Sequence, residues 1–241
     1  LSHEMVKSLI AVAHKSGYDE VKLQFDDPRV VQTVQDRIRE MLMGYELITH
    51  TATSCTIRSI ASDEAQEFNQ VFRRAFLVTI EMAQRTVALV EGKSELRSEL
   101  LSLEHSNNRL TNFCHRLLNR GVIRIERAHY AYVISWVFES IADVFKRLIF
   151  FNEQHPEYQL KGPLSVSAHT AIELLQKLYR LTYEYDHTKM NELRQEHKRA
   201  QEQLEQIVLK IGGLDAQIAM HLSIILQYIY DCFGSTEGLR H

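Results

Sequence analysis

Apolar residues follow two different rhythms along this chain. Met5, Val6, Leu9, Ile10 and Ala13 recur at helical spacing between Ser2 and Lys15, and Gly17 is placed to cap that helix. Val21, Leu23 and Phe25 alternate with polar neighbours, the period of a half-buried strand. Asp27-Pro28 predicts a helix start, with Asp27 as N-cap and Val31, Val34, Ile38 and Met41 carrying the helix to Gly44. The runs Tyr45 to His50 and Ser54 to Ile60 are rich in Ile, Thr and Tyr and are separated by little more than Thr51-Ala52, which predicts a hairpin. Residues 1–61 therefore read as a small α/β unit.

Beyond Ser62-Asp63-Glu64, a capping residue followed by acids, the pattern is helical throughout. A first helix is expected from Asp63 to Glu91, with Phe72, Ala75, Thr79, Met82 and Leu89 on one stripe and Gly92 ending it. A second is expected from Ser94 to Arg120, where Leu96, Leu100, Leu103, Asn107, Leu110, Cys114 and Leu117 form a bundle seam with one polar member. Gly121 closes it. A third runs from about Ala128 to Phe151 on the stripe Val133, Val137, Ile141, Val144 and Leu148. Pro156, Gly162 and Pro163 mark residues 153–167 as a linker. Another helix trio follows: Ala168 to Asp186, His187 to Ile211, and Leu214 to Phe233. In its middle helix His197 stands where the first trio has Asn107. The expected fold is mainly α: two three-helix bundles, 62–152 and 168–241, related as an internal duplication.

The candidate chemistry lies on the first trio. Glu139-Ser-Ile-Ala-Asp143 puts two carboxylates one helical turn apart on the side opposite the apolar stripe, a side they share with Tyr132, Trp136 and Phe150. On the preceding helix Glu104, Asn108, Thr111 and His115 form a line beside the seam. Glu104, Asn108, Glu139 and Asp143 can thus bring oxygen ligands from two antiparallel helices to one place, suiting a divalent ion such as Mg²⁺, Mn²⁺, Fe²⁺ or Zn²⁺. The alternative is that solvent and nearby Arg109, Lys146 and Arg147 neutralise the acids. The second trio has Arg194, Lys198, Leu222 and Leu226 at the matching places and is expected to bind no ion.

Composition narrows the class. Of 241 residues 45% are hydrophobic and 24% charged, enough to bury a core, and only 9 Gly and 3 Pro interrupt the helices. A net charge of −3 gives no general electrostatic reason to bind nucleic acid, and the basic clusters Arg73-Arg74 and Arg194 to Arg199 read as solvated helix faces. Cys55, Cys114 and Cys232 match neither a disulfide framework nor zinc spacing, which predicts a reducing, cytoplasmic location. No uncharged apolar run reaches the length of a membrane span, since Lys146 and Arg147 interrupt the most hydrophobic segment. The opening Leu1-Ser2-His3 suggests a fragment of a longer protein. No Gly-rich phosphate loop and no nucleophile with its base is legible.

These residues resemble the PhoU family of phosphate-uptake regulators across roughly Asp63 to Gly234. Glu139-Ser-Ile-Ala-Asp143 is similar to that family's ERIAD-like helix motif, and Glu104-His-Ser-Asn-Asn108 sits where the family has an acidic ExxxD-type motif. The stretch Glu104 to Asn119 looks most like archaeal PhoU-like proteins, which commonly carry an AbrB-like DNA-binding domain upstream. This chain departs in having Asn108 instead of an acid and in lacking both motifs in the second bundle. The resemblance implies a fold of two three-helix bundles, surface iron or zinc clusters, and a non-enzymatic regulator working through a phosphate transporter, a signalling protein or a promoter. DNA binding would then come through an N-terminal domain that is missing here. The competing reading is a carboxylate-bridged metalloenzyme, disfavoured because Glu104-His105 lacks the Glu-x-x-His spacing. A homodimer is expected, through the α/β unit or the aromatic face of Tyr132, Trp136 and Phe150.

Overall fold

The structure is a computed structural model that describes residues 2–60, 65–93 and 97–240. The expected helix start at Ser62-Asp63-Glu64, the helix start at Ser94 and the seam position Leu96 lie outside the described residues. The chain is mainly α with a small α/β unit at its beginning.

That unit begins with α1 (His3–Lys15), capped by the Ser2 hydroxyl, which accepts from the Met5 amide at 3.2 Å. It continues through β1 (Glu20–Gln24), α2 (Val30–Met41), β2 (Tyr45–His50) and β3 (Ser54–Ser59). The sheet is antiparallel in the order β1-β3-β2, with a register irregularity between Leu47 and Thr49. Val6, Ile10, Leu23, Phe25, Val34, Tyr45 and Ile57 belong to its own apolar core. One expectation shifts: α2 starts two residues later than Asp27-Pro28 suggests. The Asp27 carboxylate accepts from the Arg29 amide (3.0 Å) and closes a turn before the helix, so the Asx turn wins over the N-cap.

Six long helices follow: α3 (Ala65–Val90), α4 (Arg97–Asn119), α5 (Ile125–Gln154), α6 (Gly162–Tyr183), α7 (His187–Val208) and α8 (Gly213–Gly238). α3, α4 and α5 pack mutually, as do α6, α7 and α8, and the trios meet through α3 on α6 and α5 on α8. One contiguous apolar cluster runs through both trios, with Phe138 ring centroids 5.7 Å from Phe72 and 4.2 Å from Phe76. The helix ends at Gly17, Gly92 and Gly121 all have positive φ (84°, 76° and 73°), the left-handed cap that glycine adopts without steric penalty.

The linker is shorter than the expected 153–167. α5 runs on to Gln154 and α6 already starts at Gly162, because Pro163 occupies the first turn, where its missing N–H costs no helical bond. The seam residues Asn107 and His197 are both buried. Asn107 donates to the Thr79 hydroxyl (2.7 Å), and the His197 Nε2–H donates to the Leu226 carbonyl (2.8 Å), so each ties its middle helix to a neighbour.

Candidate functional site

α4 carries a second buried stripe beside its apolar seam, and this stripe is polar. Glu104, Asn108, Thr111, Asn112, His115 and Arg116 recur at helical spacing, and all are buried. The α/β unit is what removes them from water, since α1 and α2 pack against this helix. Met43 of that unit packs on the helical core, and polar contacts join it: Asn112 donates to the Met41 carbonyl (3.4 Å), and Asn119 to the Lys15 carbonyl (2.7 Å). Arg116, with no exposed surface, donates to the Tyr18 carbonyl at 2.7 Å and to Asp19 at 3.0 Å, and its guanidinium lies 5.3 Å from the Tyr45 ring centroid. Arg120 joins the same Asp19 at 2.7 Å. The two apolar cores are thus joined in large part through hydrogen bonds and ion pairs, with Met43 packed on the helical core.

The four expected ligand residues do come together. Glu104 and Asn108 on α4 are buried, while Glu139 and Asp143 on α5 are half-buried. Burial pushes the Glu139 carboxyl above its usual range; Lys15 opposes this, and Asp143 and Glu104 add to it. Asp143 is likewise pushed up by burial, with Lys146 opposing and Glu104 adding. The side bearing Glu139 and Asp143 is therefore only partly solvent-facing, and Lys15 at the end of α1 stands beside Glu139.

The cations at this cluster are side chains. The Lys146 ammonium donates to Glu104 Oε1 at 2.8 Å, and the Asn108 amide donates to the same oxygen at 2.7 Å. Lys15 stands 3.9 Å from Glu139. Asn108 thus turns its donor end towards Glu104, and the arrangement does not fit a four-oxygen cage for a divalent ion. Among the described residues, no group of three or more His, Cys, Asp and Glu is disposed to hold a metal. Among the described residues Arg109 makes no contact with Glu104; Lys146 supplies the charge, and the His105 ring stands 3.6 Å from the other carboxylate oxygen. Buried oxygens remain without hydrogen-bond partners: Glu104 Oε2, Asn108 Oδ1 and Asn112 Oδ1.

Sequence reasoning named Lys146 as a counter-ion but missed Lys15, Asp19, Arg116 and Arg120. Their signal was the polar repeat on α4, which reads as a solvated helix face until another unit covers it. His115 lies in the same stripe, stacked on Tyr132 at 4.1 Å between centroids, with neither ring nitrogen hydrogen-bonded.

The buried histidines set a pH response. Burial lowers His14 to about 4 and His115 to about 3, and pushes His197 and His221 below the usual range. Below pH 6.5 the unfolded chain binds protons that these rings refuse, so stability falls as pH falls from 6.5 towards about 4. Glu139 and Asp143, pushed up, bind protons earlier in the folded state and partly offset this. Urea unfolding should show a net loss of about 1–2 kcal/mol between roughly pH 7 and 5.5. An unchanged or rising midpoint would mean that the rings are protonated in the fold.

No family model, no curated protein and no solved structure matches this chain. No described helix is long and apolar enough to cross a membrane.

Proposed function

We propose that this chain is a non-enzymatic regulator of the PhoU type, which passes phosphate status to a transporter or signalling protein, or to a promoter through a DNA-binding domain. One observation carries this reading. The carboxylates of α4 and α5, where the resembling family has its acidic motifs, lie beside a separately cored α/β unit held in large part by polar contacts, Lys15 of that unit standing at Glu139. Such an interface is open to competition by ions or by a partner's charges, whereas an apolar one of similar size is not. On this reading Glu104 and Asp143 form a cation site whose built-in cation is Lys146, with Lys15 beside Glu139. A divalent ion reaches them only by displacing that ammonium.

The thiols offer no exposed nucleophile. Cys55, Cys114 and Cys232 are buried and unpaired, and burial pushes each above the usual thiol range, away from the reactive thiolate. The same free thiols suit a cytoplasmic setting. Tyr132, Val133 and Trp136 remain partly exposed on α5 and offer an apolar surface to a protein partner or to a second copy.

The test is genetic. Removing the gene from its host should uncouple phosphate uptake, or phosphate-responsive transcription, from external phosphate. Wild type should restore the coupling, and the Glu139→Ala, Asp143→Ala double variant should not. A phosphate response indifferent to loss of the protein would end this reading.

A further inference from the structure

A cleft of about 420 Å³ opens at one end of the helical body, away from the carboxylates. It lies where the first turns of α3, the connection from α4 to α5, and the ends of α6 and α8 converge. Its floor is apolar: Phe68 and Phe72 are stacked at 5.3 Å and 21°, with Val122 and Leu239 beside them. Its rim holds Arg124, Arg127 and Arg240, and among the described residues no carboxylate lines it.

The charge on this rim is incompletely matched. Among the described residues Arg124 pairs with the exposed Glu126 at 3.4 Å, and Arg240 is bonded to the Thr182 carbonyl, an uncharged acceptor. Arg127 has no ion-pair partner among the described residues. The 30-residue helix α5 begins here with no side-chain cap from Arg124, and its first amides add partial positive charge that the Glu126 carboxylate meets in part. Tyr183 lines the cleft, and its hydroxyl is buried without a hydrogen-bond partner. Burial, then Tyr179, raise its pKa, so it remains an O–H donor at neutral pH. Arg73 lies over the same ring at 5.3 Å.

From these features we infer that the cleft binds a small amphipathic anion, a phosphate or carboxylate head on an aromatic or aliphatic body. The head would take the forked N–H groups of Arg127 and Arg240 and the Tyr183 hydroxyl. The body would lie on Phe68 and Phe72. A bare inorganic anion uses half of this site, and a neutral apolar molecule uses the other half. The site stands where the two helix trios meet, so an occupant touches α3 and α5 of one trio and α6 and α8 of the other.

The experiment titrates the full chain by calorimetry with four probes: phenyl phosphate, benzoate, inorganic phosphate and benzyl alcohol. Phenyl phosphate or benzoate should bind saturably, at least about tenfold more tightly than inorganic phosphate or benzyl alcohol, and the tighter of the two identifies the head group. Arg127→Gln with Arg240→Gln should weaken that probe roughly tenfold or more, and Tyr183→Phe by a smaller factor. Arg127→Gln alone breaks no side-chain hydrogen bond or ion pair among the described residues and removes only a longer-range attraction to Glu126, so its weaker binding keeps the test valid if the double variant misfolds. Arg199→Gln, in a different groove between α6 and α7, should leave binding unchanged. The inference is overturned if neither aromatic anion binds saturably, if inorganic phosphate binds as tightly as phenyl phosphate, or if the arginine variants bind like wild type.

Discussion

Lys146→Met should lower stability by about 2–3 kcal/mol in urea unfolding at neutral pH, a large loss for one substitution outside the apolar core. The cause is its partner: the Glu104 side chain is 1% exposed and shares one oxygen between Lys146 and Asn108, so removing the ammonium strands a carboxylate. Lys146 itself is 34% exposed, which keeps the loss at the lower end of the range for buried pairs. Lys198→Met is the contrast. Its partner Glu202 is exposed and 3.9 Å away, and that variant should unfold close to wild type.

Arg116→Met should release the α/β unit from the helical body. Methionine keeps the apolar stem but abandons the Tyr18 carbonyl and Asp19, and with them the guanidinium over Tyr45. Two charge-assisted hydrogen bonds are lost, offset by the desolvation that Arg116 no longer suffers and by the continuing pair of Arg120 with Asp19. A net weakening of about 2 kcal/mol in docking is expected. Hydrogen exchange by mass spectrometry should show faster exchange in peptides of α1 and β1, with α6, α7 and α8 unchanged. Uniformly faster exchange would mean that Arg116 supports the whole fold, and no change would mean that docking does not depend on it.

The helices were legible because their stripes are long and their ends are marked. Gly17, Gly92 and Gly121 sit at the expected caps with positive φ, and Asn107 and His197 are buried at the expected seam positions. Local competition defeated the pattern at two helix starts. Asp27 closes an Asx turn instead of capping α2, and Pro163 begins α6 instead of breaking the chain.

The site was legible in part. Helical spacing alone placed Glu104 over Asn108 and Glu139 over Asp143, and antiparallel neighbours brought the pairs together. What spacing could not supply was the lid. That Asn112, Arg116 and Asn119 bond to backbone carbonyls of the α/β unit depends on contacts across 71 to 104 residues, which no local periodicity encodes. A polar stripe on a helix looks the same whether water or another unit lies against it.

The most direct measurement is a double-mutant cycle of Glu104→Gln and Lys146→Met, read by urea unfolding of all four proteins at neutral pH. If Lys146 is the cation of the buried carboxylate, the double variant should be more stable than the sum of the single losses predicts, with a coupling of at least about 1 kcal/mol. Strictly additive losses would show that Glu104 and Lys146 act independently, and would contradict a cation site closed by the chain's own lysine.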